Sequence, residues 1–188
     1  MEAVKHAKPH PLGNGQYLTF FIAGEEYAVN FLKVKEIIEY DTITAVPNTA
    51  PWIRGVTNLR GNVVPVIDLA IKFGQPASPV SKFSCIVITE VSYDGDKLTM
   101  GVIADSVSQV LDFLENEVEA PPPFGTPLRI EFLLGMGRIG KKFCLILDID
   151  KVLSADELLS VTDSTHPPQG ATVALPLSSS ARAAESGA

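Results

Sequence analysis

Histidine is nearly absent from this chain, and its positions exclude a large class of catalytic sites. The 188 residues contain three histidines, His6, His10 and His166, which all lie close to the ends. Histidine is the commonest general base near neutral pH and the commonest metal ligand. The long segment between them therefore cannot hold a Ser-His-Asp or Cys-His site. We predict no catalytic residue and no metal site there.

Cysteine and long apolar runs are also scarce. The two cysteines, Cys85 and Cys144, each lie within an apolar run, which is typical of small core residues rather than of disulfides or metal ligands. No apolar run approaches the ~18 residues of a membrane-spanning helix. The residues before Gly15 lack the apolar core of a signal peptide. These features predict a cytoplasmic protein without direct membrane insertion.

Positive charge is in deficit, which bears on the kind of partner. Lys and Arg number 15 against 22 Asp and Glu, for a formal net charge of −7. An acidic chain repels phosphate backbones. The aromatic residues lie mostly in apolar runs rather than on a face where bases could stack. We predict no nucleic-acid partner.

Both ends differ in composition from the middle of the chain. Residues 1–15 are polar and contain prolines and glycines, and residues 162–188 are rich in Ala, Ser and Pro, with TVALPL as their one apolar run. Such segments cannot bury enough apolar surface to offset the entropy of ordering. We predict a flexible N-terminus at 1–15, a folded domain at 16–161 and a flexible tail at 162–188.

The folded segment consists mostly of short apolar or alternating runs separated by turn residues, which is typical of strands. Hairpins are predicted for QYLTFFIAG with EEYAVNF, for WIRGVTNLR with NVVPVIDL, and around Asp94-Gly95-Asp96. ITAVP is predicted as a short strand, and KLTMGVIADSVSQVLDF as a long strand segment. Pro65 cannot donate to a ladder and should lie at an edge or a bulge. So many short strands favour an all-β protein of two small packed barrels.

Three helices are predicted among these strands. FLKVKEIIEY at 31–40 has apolar residues at helical spacing. A helical turn follows Asp68 and is closed by Gly74, and a helix spans DIDKVLSADELLSV with Ser154 or Asp156 as its cap.

One stretch matches a nucleotide-binding pattern by its letters alone. GMGRIG at 135–140 satisfies G-x-G-x-x-G, but the apolar run KKFCLILDI follows it. A dinucleotide site needs a helix whose N-terminus points at the pyrophosphate. We therefore interpret these glycines as a tight hairpin turn, and we predict no bound cofactor.

Carboxylates are the remaining candidates for catalysis, and none forms a recognisable pair. Asp68 and Asp150 each precede or begin a predicted helical turn, so N-capping explains them better than acid–base chemistry. The acidic stretch at 115–119 is typical of a solvated edge. A catalytic pair needs two close groups in unequal environments, and the spacing shows none. We predict no enzymatic activity.

The segment PWIRGVTNLRGNVVPVIDL at 51–69 allows two interpretations. Asn58 and Arg60 lie at the end of a predicted strand, beside a turn. In one interpretation Asn58 bonds backbone and Arg60 is a solvated surface residue. In the other, Arg60 anchors a docking surface through its several donors. The residues alone do not decide between them.

Several long segments resemble the CheW family of bacterial chemosensory adaptors. They are GEEYAVNFLKVKEII at 24–38, NTAPWIRGVTNLRGNVVPVIDLAIKFG at 48–74, MGVIADSVSQVL at 100–111 and GMGRIGKKFCLILDIDKVLS at 135–154. The resemblance covers about 16–161. It implies two SH3-like five-stranded β-barrels packed on a shared core.

The resemblance also implies a function. Family members are non-catalytic and couple methyl-accepting chemoreceptors to the histidine kinase CheA in receptor arrays. They bind the kinase's regulatory domain through barrel ends, and the cytoplasmic tip of the receptor in a groove between the barrels. The alternative is an adaptor of a paralogous pathway that controls pili or another output. The family's functional positions fall on partner-binding residues Val34, Glu36, Gly55, Asn58 and Arg60. The resemblance implies Val34 for apolar contact, Gly55 for close backbone approach and Arg60 as a structural or receptor-facing anchor, and it does not assign each residue to the kinase or the receptor.

Overall fold

Strands dominate the structure. The computed structural model describes residues 15–121, 130–154 and 156–157. Apart from Gly15, both predicted tails lie outside these residues, as does part of the last predicted helix. The elements are β1 Gly15–Ile22, β2 Glu25–Asn30, a 3-10 turn Phe31–Lys33, β3 Val34–Glu39, β4 Ile53–Leu59, β5 Asn62–Ile67, α1 Leu69–Lys72, β6 Cys85–Tyr93, β7 Asp96–Ala104, β8 Ser106–Phe113, a 3-10 turn Glu115–Glu117, β9 Val118–Glu119, a 3-10 turn Ile130–Phe132, β10 Leu133–Ile139 and β11 Lys142–Leu147.

The strands form two curled sheets, as predicted. One sheet has the order β8-β1-β2-β11-β10-β9, and the other has the order β3-β6-β7-β5-β4. Each contains one parallel pair, β11 with β2 and β5 with β7, among antiparallel neighbours. The two sheets are the SH3-like barrels, and we call them the first and the second barrel. The first has one strand more than predicted, because the two-residue β9 adds to β10.

The two barrels repeat the same hairpin in the same register. Gly55 lies opposite Val66 in the second barrel, and Gly135 lies opposite Ile146 in the first, each beside a bulge. The antiparallel bridge onto β4 at Thr44 corresponds to the pairing of β9 with β10. The second barrel uses consecutive strands β3–β7, whereas the first combines β1 and β2 with β8–β11. The first and the last of the described strands, β1 and β11, thus both belong to the first barrel.

A shared apolar core between the barrels explains why several strands are apolar on both faces. On β6, Val87 packs into the shared core, whereas Ile86 and Ile88 point into the second barrel. On β1, Leu18 packs into the shared core and Tyr17 lies inside the first barrel. Since successive side chains point to opposite faces, each of these strands contributes to two cores at once.

The helix predicted at 31–40 is wrong. The structure has a short 3-10 turn there, followed by β3, whose residues alternate between half-buried and exposed. β3 pairs with β6, and its register shifts between Val34 and Glu36. Ile37 lies at an exposed position of β3 and Glu36 at a half-buried one. The apolar residues therefore do not follow the alternation of the strand, which produced the apparent helical spacing.

Two strand predictions also need correction. The long segment at 97–113 breaks at Asp105, where the chain passes from β7 in the second barrel to β8 in the first. The Asp105 N–H donates to the Phe21 carbonyl at 2.8 Å, which fixes this crossing. The predicted strand ITAVP is reduced to the single bridge at Thr44.

The glycines at 135–140 lie mostly in a strand rather than in the predicted turn. Gly135 and Gly137 belong to β10, Gly140 lies in the turn, and β11 follows. A β-carbon on Gly137 would lie 2.6 Å from the Phe113 ring, so this glycine makes room for an aromatic side chain inside the first barrel.

The predicted caps have different outcomes. Asp68 caps α1 by accepting from Ala70 N–H at 3.0 Å, as expected. Residues 149–153 form turns and bends instead of the start of a helix, so Asp150 caps nothing there. Pro65 was expected at an edge or a bulge, but β5 lies between β7 and β4 in the sheet. Because β5 pairs with β7 only from Val66 onward, the absence of an N–H on Pro65 leaves no hydrogen bond to β7 unmade.

Both cysteines are buried and free. Within the described ranges, no helix is long and apolar enough to cross a membrane.

The second barrel closes at a seam where a side chain would not fit. Thr44 and Val56 exchange two backbone hydrogen bonds of 2.9 Å each. Beside them Gly55 has φ +140°, and a β-carbon on it would lie 2.1 Å from the Thr44 carbonyl oxygen. Gly55 therefore allows the chain after β3 to reach β4.

We expect Gly55→Ala to lower the free energy of unfolding by about 3–5 kcal/mol, because backbone strain and overpacking add there. The control is Gly95→Ala, in the β6–β7 turn, where φ is +87° and no atom lies within 4 Å of the added carbon. Left-handed strain alone should cost about 1–2 kcal/mol in that variant. Urea unfolding of both variants measures the difference, and equal losses would contradict the steric role of the seam.

An ion network crosses three strands of the second barrel. Glu90 on β6 accepts from Lys35 on β3 and Lys97 on β7, both at 2.7 Å. Hydrogen bonds from Lys35 and Lys97 lower the pKa of Glu90 to about 2. Because the pKa of Glu90 is lower in the folded than in the unfolded protein, its ionised carboxylate stabilises the folded state. This stabilisation is present above about pH 4.5 and is lost as the pH falls toward 2.

Glu90→Gln should therefore reduce the acid sensitivity of folding. We expect wild-type stability to fall toward that of the variant between pH 5 and pH 2, with a smaller difference at high salt. Urea midpoints across that range measure this, and Glu39→Gln on β3 controls for removing one negative charge. A pH-independent difference between wild type and Glu90→Gln would show that the network is not responsible.

Candidate functional site

The β4–β5 hairpin places Arg60 at the mouth of the second barrel. Arg60 and Gly61 occupy the turn with φ +53° and +88°, as a two-residue type I′ turn requires. The Asn58 Oδ1 accepts from the Gly61 N–H at 2.7 Å. Asn58 therefore holds the turn that presents Arg60.

Arg60 reaches across the barrel mouth to β3. Its Nη2 donates to Glu36 Oε2 at 2.8 Å, and 77% of the arginine side chain is exposed. An exposed pair of this kind is worth about 0–1 kcal/mol, so it contributes little to folding. A guanidinium has five N–H donors, and the exposed part of this one is accessible to a partner.

The five predicted site residues are not equivalent in the structure. Glu36, Asn58 and Arg60 come together at the barrel mouth. Val34 is half-buried and packs against the shared core, and Gly55 is buried at the seam. The close backbone approach expected of Gly55 takes place within the chain, to Thr44. Val34 thus lies on β3 with Glu36, and Gly55 lies on β4 with Asn58, but both are more buried than the exposed Arg60.

A shallow cleft of about 380 Å³ next to Arg60 includes residues that the sequence analysis missed. Lys35, Val63 and Leu98 line it together with Glu36. Val63 is 50% exposed, although it lies in the apolar run NVVPVI. Because all but one residue of that run is apolar, the sequence carries no signal for which side chain faces outward.

The first barrel carries a related surface at the matching hairpin. Phe143 lies opposite Arg138, as Val63 lies opposite Asn58 in the second barrel. Phe143 is 46% exposed. The Arg138 guanidinium lies 5.7 Å from the centre of its ring and pairs with Glu119. Each barrel thus presents an apolar side chain beside an arginine at its hairpin end.

A groove runs between the barrels. Its larger part has a volume of about 650 Å³ and is lined by Tyr93 of the second barrel and by Phe132 and Leu153 of the first. It shares Asp150 with a smaller cleft of about 220 Å³, whose other lining residues belong to the first barrel and to the 3-10 turn Phe31–Lys33. At the edge of the smaller cleft, Leu32 is 91% exposed. We call these two clefts together the inter-barrel groove.

Ionic contacts bind the two barrels together along this groove. Asp150 accepts from the Ser92 N–H at 2.7 Å and pairs with Lys33 at 2.7 Å, which is its role in place of the predicted cap. Lys72 pairs with Glu157 and lies 4.7 Å from the centre of the Trp52 ring.

The balance of burial and hydrogen bonding fixes the charge of Glu157. Burial alone raises the pKa of Glu157, but hydrogen bonds from Lys72 and Ser154 outweigh it and lower that pKa below its usual range. Lys72 and Ser154 thus favour the charged form of the Glu157 carboxyl.

Two further features of the described residues concern the thiols and the side chains that could ligate a metal. Burial raises the pKa of the Cys85 thiol. Burial, with a smaller contribution from Glu26, raises the pKa of the Cys144 thiol to about 11. Since a reactive thiol needs a lowered pKa, neither cysteine is an activated nucleophile. In the part of the chain that the structure describes, no group of three or more His, Cys, Asp or Glu side chains could hold a metal ion.

Comparison with known proteins identifies the family. Residues 16–157 match the CheW-like domain. The chemotaxis protein CheW of Klebsiella aerogenes is 36% identical over 146 residues, which cover 78% of this chain and 86% of that protein. The probable chemotaxis protein CheW of Rhizobium etli is 30% identical over 146 residues, covering 77% and 91%. The crystal structure of the scaffolding protein TtCheW from Thermoanaerobacter tengcongensis, 32% identical, superposes with a TM-score of 0.68 and covers 82% of this chain and 96% of its own. The chain belongs to the CheW-like family.

Proposed function

We propose that the protein is a non-catalytic adaptor that couples chemoreceptors to the histidine kinase CheA. Membership of the CheW-like family supports a role in chemotaxis. The structural observation that carries the proposal is the pair of matching hairpins, one on each barrel, with Val63 and Phe143 exposed at equivalent positions. A scaffold needs more than one docking surface, and the two hairpin ends would supply two.

The barrel ends are the surfaces that we assign to the kinase. A CheW-like regulatory domain would present barrels of the same kind, so that apolar hairpin residues meet across the contact. Val63 supplies apolar area beside Arg60, and a guanidinium can bind carboxylates or backbone carbonyls directionally. Apolar centres with an arginine anchor are typical of residues that dominate interface energies.

The inter-barrel groove is the surface that we assign to the receptor. The cytoplasmic tip of a receptor is a helical hairpin, and a helix docks by placing its apolar face into a groove. Leu32 is exposed at one end of the groove, and Tyr93 and Phe132 line the other. Binding there places the protein in the cytoplasm beside the membrane-bound arrays.

The output of the pathway is a separate question. An adaptor with the same two kinds of contact could serve flagellar chemotaxis or a paralogous chemosensory pathway that controls pili or another output. Binding to the receptors and kinase of each pathway would distinguish the two.

Arg60→Ala should weaken kinase binding much more than it affects folding. The arginine is mostly exposed, so we expect the free energy of unfolding to change by less than about 1 kcal/mol. As an interface anchor it should contribute about 2 kcal/mol, which lowers affinity about thirtyfold. Calorimetry with the kinase regulatory domain measures the affinity, and urea unfolding measures the stability.

The matched control is Lys97→Ala, which removes another exposed partner of an ion pair from the same barrel. This variant should bind the kinase domain normally. Equal affinity of Arg60→Ala and wild type would remove Arg60 from the site. A stability loss that accounts for the affinity loss would make its role structural.

Leu32→Asp should weaken receptor binding and leave kinase binding unchanged. Leu32 is almost fully exposed, so its replacement should alter stability by about 0.5 kcal/mol or less. A charge at the edge of an apolar contact should lower affinity for a receptor signalling fragment about tenfold or more. Val80→Asp, on an exposed apolar residue of the loop before β6, is the control. Equal affinity for the receptor fragment in both variants would exclude this end of the groove.

A further inference from the structure

The C-terminal part of the chain is held at the inter-barrel groove where the described structure ends. The Ser154 N–H donates to Glu157 Oε2 at 2.7 Å, and the Glu157 N–H donates to Ser154 Oγ at 3.4 Å. This reciprocal pair is a capping box. Glu157 is also the partner of Lys72, whose side chain is only 9% exposed. The chain therefore continues from a fixed point on the groove wall.

The groove does not call for a charged ligand. Lys72 pairs with Glu157, and Asp150 pairs with Lys33. Lys151, also on the wall, pairs with Asp148 at 2.9 Å. A charged ligand would have to replace these pairs, whereas an uncharged apolar segment can cover the aromatic and leucine side chains between them. The volume of about 650 Å³ falls within the ~300–1,000 Å³ of typical ligand clefts.

The chain itself supplies a segment of that kind. Residues 164–181 contain no Asp, Glu, Lys or Arg, and TVALPL at 172–177 is the one apolar run of the predicted tail at 162–188. Pro176 favours extended backbone at Leu175. In an extended segment, side chains two residues apart share a face, so Leu175 and Leu177 would enter the groove together.

The length of the connection suits a return to the groove. Thr172 follows Glu157 by 15 residues, and an unstructured chain of that length would span about 20 Å root-mean-square. A segment on such a tether has an effective concentration on the order of millimolar. Even a weak apolar contact is then occupied for a substantial fraction of the time.

We propose that residues 172–177 dock reversibly in the inter-barrel groove and compete there with the receptor tip. The docking itself requires only the groove and the segment, and the competition rests on the proposed function. A partly occupied groove lowers the apparent affinity for receptor by the fraction that is free. The tail would thus set the receptor concentration at which the adaptor is recruited.

The test uses the full chain with Leu175→Asp and Leu177→Asp combined. Trp52, the single tryptophan of the chain, lies against the groove residue Lys72, so its indole N–H resonance reports on the groove. We expect that resonance and the amides of Tyr93 and Leu153 to shift in the variant. The control, Ser178→Asp with Ser180→Asp, adds the same charge outside the apolar run. It should leave the groove resonances of Trp52, Tyr93 and Leu153 unshifted. Identical groove resonances in wild type and the leucine variant would overturn the docking.

Receptor affinity separates this inference from the proposed function. We expect the leucine variant to bind a receptor signalling fragment about two- to tenfold more tightly than wild type and the serine control. Shifted groove resonances with unchanged receptor affinity would support the docking and contradict the assignment of the groove to the receptor. Unshifted resonances with normal receptor binding would overturn the docking and leave the proposed function intact.

Discussion

The apolar core shared between the two barrels is the constraint on which the rest of the structure depends. Strands β1, β2, β6 and β7 contribute side chains to it, and β1 and β6 also fill the inside of a barrel with their opposite faces. Neither barrel can move relative to the other without exposing this core, since burial of apolar surface is the dominant favourable term in folding. The crossing at Asp105 and the contact of Asp150 with Ser92 add polar links across the same junction. The shape of the inter-barrel groove is therefore set by packing rather than by loops.

In this rigid structure, the residues that stabilise the fold are different from the residues that are exposed for contact with a partner. Gly55 closes the second barrel from within, and a side chain there would collide with backbone. Arg60, a few residues further along the same strand and turn, is mostly exposed and makes a contact worth little to stability. Under the proposed function, such an arrangement would give the adaptor a fixed docking surface whose outer residues can change with the partner.

The differences between the predicted and observed elements have a common cause. The run at 31–40 contains apolar residues at helical spacing, but it forms a strand in which the apolar Ile37 is exposed and Glu36 is half-buried. The segment at 97–113 has continuous strand character, yet it crosses from one barrel to the other at Asp105. In both places a local pattern was interpreted without knowledge of the neighbouring strand. The hairpins of β1 with β2, β4 with β5 and β6 with β7 were predicted because turn residues and flanking strands are adjacent in sequence. The β4–β5 turn lies at Arg60-Gly61, one residue before the Gly61-Asn62 turn that the sequence favoured.

The sequence by itself determined the strand-rich class, the pairing of strands into hairpins, the Asp68 cap and the resemblance that points to Val34, Glu36, Gly55, Asn58 and Arg60. These follow from neighbours in the chain or from a long ordered motif. Only the tertiary structure decided that Gly55 lies against Thr44, that Arg60 meets Glu36, and that two barrels with the same hairpin register enclose a groove. Each of these is a contact between strands distant in sequence. Its geometry depends on bulges, sheet curvature and the shared core, which no local pattern encodes.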